Sequence, residues 1–169
     1  MSTITDYLTE DHRRLHELLD RSDADGIDGI DGESFAAFRA GLLRHIGIEE
    51  KLLLPAVKRR LGAPLEAAMR LRMEHAALTS LMVPSPDRAL IREIRWLLDR
   101  HDAREEGPDG VYGACAAALA EENAALYIRA RDQKPVPVSA YYDGPEAHRT
   151  AAGALASAER ITAARTSRK

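Results

Sequence analysis

Apolar positions return at helical intervals along most of the chain. From Thr3 to Asp20, the inward positions Leu8, His12, Leu15 and Leu19 are spaced four, three and four apart. Such spacing places them on one face of a helix. From Glu33 to Leu61, Phe38, Leu42, His45, Glu49, Leu52 and Ala56 keep the same rhythm, the seam of a helix packed in a bundle. A third stripe, Ala68, Leu71, His75, Leu78 and Met82, runs from Pro64 to Met82. A fourth, Ile91, Ile94, Leu98, His101 and Glu105, runs from Asp87 to Glu106. Breakers separate them: a Gly/Asp-rich stretch over 21–33, Gly62-Ala63-Pro64, and Val83-Pro84-Ser85-Pro86-Asp87.

Past Gly107-Pro108-Asp109-Gly110, a fifth pattern from Val111 to Arg131 aligns Tyr112, Cys115, Leu119, Glu122 and Leu126. A Pro-containing linker and an Ala-rich helix from Pro145 to Ala164 follow, then a short basic tail. Short connections favour antiparallel neighbours. The expected fold is all-α: an antiparallel up-down four-helix bundle with additional C-terminal helices. Its expected division is a bundle over 1–131 and a linker and helical extension over 132–169.

Composition supports that reading. The 169 residues hold 29 Ala and 20 Leu against 14 Val plus Ile, and aromatics are 5%. Ala and Leu favour helices, whereas strands favour β-branched and aromatic residues. The net charge of -3 offers no general attraction to nucleic acid or an anionic membrane. No stretch approaches the ~20 apolar residues of a membrane-spanning helix. The polar N-terminus lacks a signal-peptide apolar run. The lone Cys115 has no partner for an internal disulfide, which fits a reducing compartment. The expectation is a cytoplasmic protein that engages neither nucleic acid nor membrane; oligomeric state is not readable.

The histidines matter by placement. Each of the four main stripes carries one: His12, His45, His75 and His101. Glu49 and Glu105 lie one turn after His45 and His101 on the same seams, and residues four apart share a face. Burying unpaired carboxylates costs several kcal/mol each, in a fold whose total stability is ~5–15 kcal/mol. The seams supply no Lys or Arg, only imidazoles. A bound divalent or trivalent metal would supply the missing positive charge. A His-rich, thiolate-free set suits iron, manganese or zinc.

Other metal motifs fail. The acidic stretch beginning at Asp23 has Ile27 and Asp28 where an EF-hand loop needs a ligand and then Gly. No His-Glu-x-x-His occurs. No histidine has Glu three residues before it, as the Glu-x-x-His pairs of ferritin-like di-iron proteins require.

The segments Asp11-His12-Arg-Arg-Leu, His45-Ile-Gly-Ile-Glu49-Glu50-Lys-Leu-Leu-Leu-Pro55, Glu74-His75-Ala-Ala-Leu and His101-Asp-Ala-Arg-Glu105-Glu106 carry a resemblance. Over roughly residues 5–125, the chain resembles the hemerythrin-like (HHE cation-binding) family. The resemblance implies a four-helix bundle around a non-haem di-iron centre, held by two carboxylates and typically five histidines. It implies His12, His45, His75 and His101 as ligands and Glu49 and Glu105 as bridging carboxylates, with Glu106 competing for the role of Glu105. Where many members carry a further histidine, one turn after His75, this chain has Thr79. His16, one turn after His12, either completes the five or is a half-exposed helix-surface residue. Tyr112 is either a hydrogen bonder behind the ligands or core packing. Glu122 is either near the site or exposed.

The implied ligand is O₂, NO or peroxide, in binding, sensing or detoxification. The alternative is a metal-stabilised regulatory or interaction module without redox chemistry.

Overall fold

A computed structural model describes residues 2–24 and 29–167. Among them the secondary structure is all helical. Helix α1 spans Ile4–Ala24, α2 Gly32–Ile48, α3 Leu54–Leu61, α4 Ala68–Leu81 and α5 Arg88–Glu106. Then come α6 over Val111–Ala118, α7 over Asn123–Arg131 and α8 over Ala151–Thr166. A five-residue π-helical segment, Glu49–Leu53, joins α2 to α3. No described helix is long and apolar enough to cross a membrane.

Local chemistry sets the helix boundaries. Asp31 accepts hydrogen bonds from the Glu33 and Ser34 backbone N–H groups at the start of α2. Asp87 accepts from Leu90 N–H at the start of α5, 2.7 Å away. Such caps satisfy amides that have no partner within the helix. Gly62 ends α3 at φ 74°, the left-handed conformation that glycine adopts most readily. Helix α1 runs past Asp20 to Ala24, four residues into the Gly/Asp-rich stretch. The rest of that stretch through Asp28, and the final Arg168 and Lys169 of the basic tail, lie outside the described residues.

The seams read from sequence face inward. Leu8, Leu15, Leu19, Leu42, Leu71, Leu78, Ile91, Ile94 and Leu98 are all buried. One exception, the exposed Glu122, lies between α6 and α7; the other arises within the π-helical segment. Its extra residue per turn makes Leu53 the fully buried position, while Leu52 is only half-buried.

Three expectations need correction. The third pattern forms a helix that begins at Ala68 rather than Pro64. The pattern over 111–131 is two helices, broken at 119–122, where Glu122 and Asn123 N–H both bond the Leu119 carbonyl. No Gly or Pro marks the break. It lets α7 turn back to pack on α1 and the π-helical segment, burying Leu126 and Ala130. The last helix begins at Ala151 rather than Pro145, because the Thr150 side chain caps it by accepting from Gly153 N–H.

The segment after α7 is pinned to the bundle. Arg44 donates to the carbonyls of Ala130, Arg131 and Gln133 and to the Tyr7 hydroxyl. Arg39 donates to the Ser139 carbonyl, and Tyr142 N–H to that of Val83. Helix α8 then packs on α4 and α5. Its Ala151 and Ala154 join the same apolar cluster as Leu78, Leu81 and Leu97. The small alanine side chains let the two backbones come close.

Candidate metal centre

Four histidines and two glutamates meet in the core. His12, His45, His75, His101, Glu49 and Glu105 are each no more than 3% exposed. Helix α1 brings His12, α2 His45, the π-helical segment Glu49, α4 His75, and α5 both His101 and Glu105. Their donor atoms form two groups. One is His12, His45, Glu49 and Glu105; the other is Glu49, His75, His101 and Glu105. Within each group, the donor atoms all lie within 4.8 Å of one another. Both carboxylates belong to both groups.

The donor atoms face each other without being satisfied. His75 Nε2 lies 3.0 Å from Glu49 Oε2, and His12 Nε2 lies 3.3 Å from Glu105 Oε2. His45 Nε2 and His101 Nε2 lie 3.5 Å from the carboxylates of Glu49 and Glu105. Yet Glu49 Oε2, His75 Nε2, His101 Nε2 and Glu105 Oε2 are buried with no aligned hydrogen bond. Native interiors leave few such atoms, and each calls for an explanation. Imidazole nitrogens and carboxylate oxygens gathered in this way are a donor set that could hold metal cations.

The outer edges of the four rings are fully served. His45 Nδ1–H donates to Asp11 at 3.0 Å, and His75 Nδ1–H to Glu50 at 2.9 Å. His101 Nδ1–H donates to Glu74 at 3.1 Å, and His12 Nδ1–H to Glu106 at 2.5 Å. An ionised carboxylate only accepts, so these bonds put the proton on Nδ1 and aim Nε2 inward. The pairing is cyclic. The acid from α1 serves the histidine of α2, the π-helical segment serves α4, α4 serves α5, and α5 serves α1. Each acid is the sequence neighbour of an inward residue: Asp11 of His12, Glu50 of Glu49, Glu74 of His75, Glu106 of Glu105. Neighbours on a helix point about 100° apart, so the acid is turned from its own seam toward the adjacent helix. Thus Glu105 is the inward residue and Glu106 its outer companion.

The electrostatics are those of a site short of positive charge. Burial alone would push the His45 imidazole down, but Glu49 and Asp11 outweigh it and raise it to about 10. Burial likewise opposes His75, which Glu49 and Glu50 raise to about 9. His12 is lowered, by burial and then by the charge of His45. Burial pushes Glu105 well above the usual carboxylate range, and the Glu49 charge adds to it. Burial acts the same way on Glu49, but His45 and His75 hold it well below that range. The two carboxylates are thus pushed in opposite directions, and a bound cation would favour the charged form of both.

His16 lies in neither group. Its ring is half-buried, and Nε2 sits 2.7 Å from Asp102 Oδ2, which raises its basicity. Thr79 is exposed, so the helix turn after His75 adds no donor. Glu122 is exposed and pairs with Arg59.

Tyr112 reaches the centre. Its hydroxyl donates to Glu49 Oε1 at 2.5 Å and lies 3.4 Å from both His12 Nε2 and His45 Nε2. The turn after α5 puts it there. Gly110 N–H bonds the Gly107 carbonyl, and a Cβ on Gly110 would collide with the Glu105 carbonyl. The signal was the tight Gly-Pro-Asp-Gly turn followed by a tyrosine in register. The outer acids were signalled by the carboxylates beside four of the six inward residues: Asp11, Glu50, Glu74 and Glu106.

Fold and site together define a helical bundle whose buried His/Glu clusters could hold metal cations. The hemerythrin HHE cation binding domain profile matches residues 3–122, and the chain belongs to that family. No match was found among curated proteins or among solved structures.

Proposed function

We propose that the protein holds a non-haem di-iron centre in an antiparallel up-down four-helix bundle. In this reading it works in the cytoplasm on a small diatomic or peroxide: O₂, NO or H₂O₂. His12 and His45 would hold one iron and His75 and His101 the other, with Glu49 and Glu105 bridging. The observation that carries the reading is that two four-donor groups share both of their carboxylates. A single-ion site would need only one group, and a purely structural polar core would satisfy its atoms.

Bound irons would supply redox chemistry toward such a ligand. The chain's own part is to hold and orient. The outer carboxylates fix the four rings, and leucines on every seam keep bulk water from the centre. The buried Tyr112 hydroxyl lies against Glu49 at the edge of the centre.

The test is metal analysis and visible spectroscopy on the full chain, purified from iron-supplied cells and exposed to air. Two irons per chain with oxo-bridged di-iron charge-transfer bands are expected. A colourless protein that only melts lower after chelation would overturn this reading in favour of a metal-stabilised interaction module.

A further inference from the structure

The two halves of the centre have equal histidines and shared carboxylates, but their surroundings differ. Around His12 and His45 there are further oxygens. The Tyr112 hydroxyl lies 3.4 Å from each Nε2 atom. Asp102 Oδ1, buried and without a hydrogen bond, lies 3.6 Å from His12 Nε2. Around His75 and His101, the only side-chain oxygens placed against the inward Nε2 atoms, among the described residues, are those of Glu49 and Glu105. The next turn of α4 offers only the exposed Thr79.

Distance decides what the tyrosine can do. Bonds of about 2.0–2.2 Å from a metal to N or O donors place two donors of one ion roughly 3.0–3.4 Å apart, from octahedral to tetrahedral angles. Tyr112 Oη meets that separation to both histidines at once. Its 2.5 Å hydrogen bond to Glu49 Oε1 is that of a phenol, so ligation would release the phenol proton to solvent and replace that bond with one to the metal. A residue serving only to brace Glu49 would have no need to be equidistant from two imidazole nitrogens. The ring is also held firmly, stacked on His12 with planes 12° apart and only 5% exposed.

We propose that Tyr112 is a fifth protein ligand on the His12/His45 metal, and that an external ligand therefore binds on the His75/His101 metal. The inference rests on the two-metal reading above. It assigns the open coordination positions to the α4–α5 side of the bundle. It also makes the missing histidine at Thr79 the feature that keeps that side open.

The test uses the full chain loaded with ferric iron, with sodium azide as the probe. Wild type should show a phenolate-to-iron band, and the Y112F variant should lose it. Azide should bind one per iron pair in wild type, adding its own band without bleaching the phenolate band. In Y112F, where the first metal is also open, azide should reach two per pair. Resonance Raman on wild type carrying ring-deuterated tyrosine provides a second reading should Y112F fail to fold. Shifted phenolate modes are expected. Two irons with no phenolate band, or a phenolate band bleached by azide, would overturn the inference and leave the di-iron reading standing. Fewer than two irons per chain would overturn both.

Discussion

Replacing Glu74 with leucine tests whether the outer carboxylates hold the centre together. Glu74 is 2% exposed and accepts from His101 Nδ1 at 3.1 Å. Leucine fills similar space but leaves that buried N–H with no acceptor, a cost of roughly 1–3 kcal/mol. Glu74 also accepts from Arg70 at 2.8 Å and faces Arg104 at 3.2 Å. Those arginine side chains are 49% and 35% exposed, so they return to water and add little. Since 1.4 kcal/mol is a factor of ten, metal affinity should fall about 10- to 100-fold, the range typical of partners behind a ligating histidine. The matched control is Glu106→Leu. Its carboxylate, 35% exposed, also serves a ring nitrogen, but water can replace it there. The control should lose several-fold less. The assay is iron loss to a competing chelator at fixed pH, with circular dichroism to show that both variants fold. Equal losses at the two positions, or none at Glu74, would refute the argument.

His16→Ala should leave metal content and the visible spectrum unchanged, because the ring pairs with Asp102 outside both donor groups; loss of one metal would make His16 a ligand. The metal-free protein should melt at lower temperature near pH 10 than near pH 6. His45 at about 10 and His75 at about 9 are both raised from 6.5, so the stability they lend is full below about 6.5 and is lost as pH rises through 9–10. An unchanged melting temperature across that window would reject the sign. The loaded protein should release metal as pH falls, because protons compete for the same Nε2 atoms; proton release measured on loading checks this. Leu78→Ala, at a fully buried site on the α4 seam, should cost about 2–5 kcal/mol in denaturant unfolding. A cost below 1 kcal/mol would mean that the seam is loosely packed.

Much of this was legible along the chain. The seam positions of α1, α4 and α5 are buried, and all six inward histidines and glutamates meet in the core. A period of three and four residues fixes which side chains share a helix face, whatever the neighbours do. Boundaries were legible where a capping side chain or a turn marks them, as at Asp31, Asp87 and Gly62. The break at 119–122 was not, because its cause is the docking of α7 on α1. Nor was the slip from Leu52 to Leu53, because nothing in the composition of Glu49–Leu53 marks a π-turn.

Read along the chain alone, periodicity and composition lead to an all-helical fold, a family resemblance, and an inward set of imidazoles and carboxylates suited to a cation. These follow from periodicity and from the cost of burying charge, both of which act within one helix. The tertiary structure decided the rest. Only the packing of neighbouring helices pairs Asp11, Glu50, Glu74 and Glu106 with histidines 25 to 94 residues away. It also turns His16 to Asp102 and sets the Tyr112 oxygen between His12 and His45. Hydrogen bonds and metal sites depend on distances of about 3 Å between groups remote in sequence. No pattern read along a single helix contains those distances.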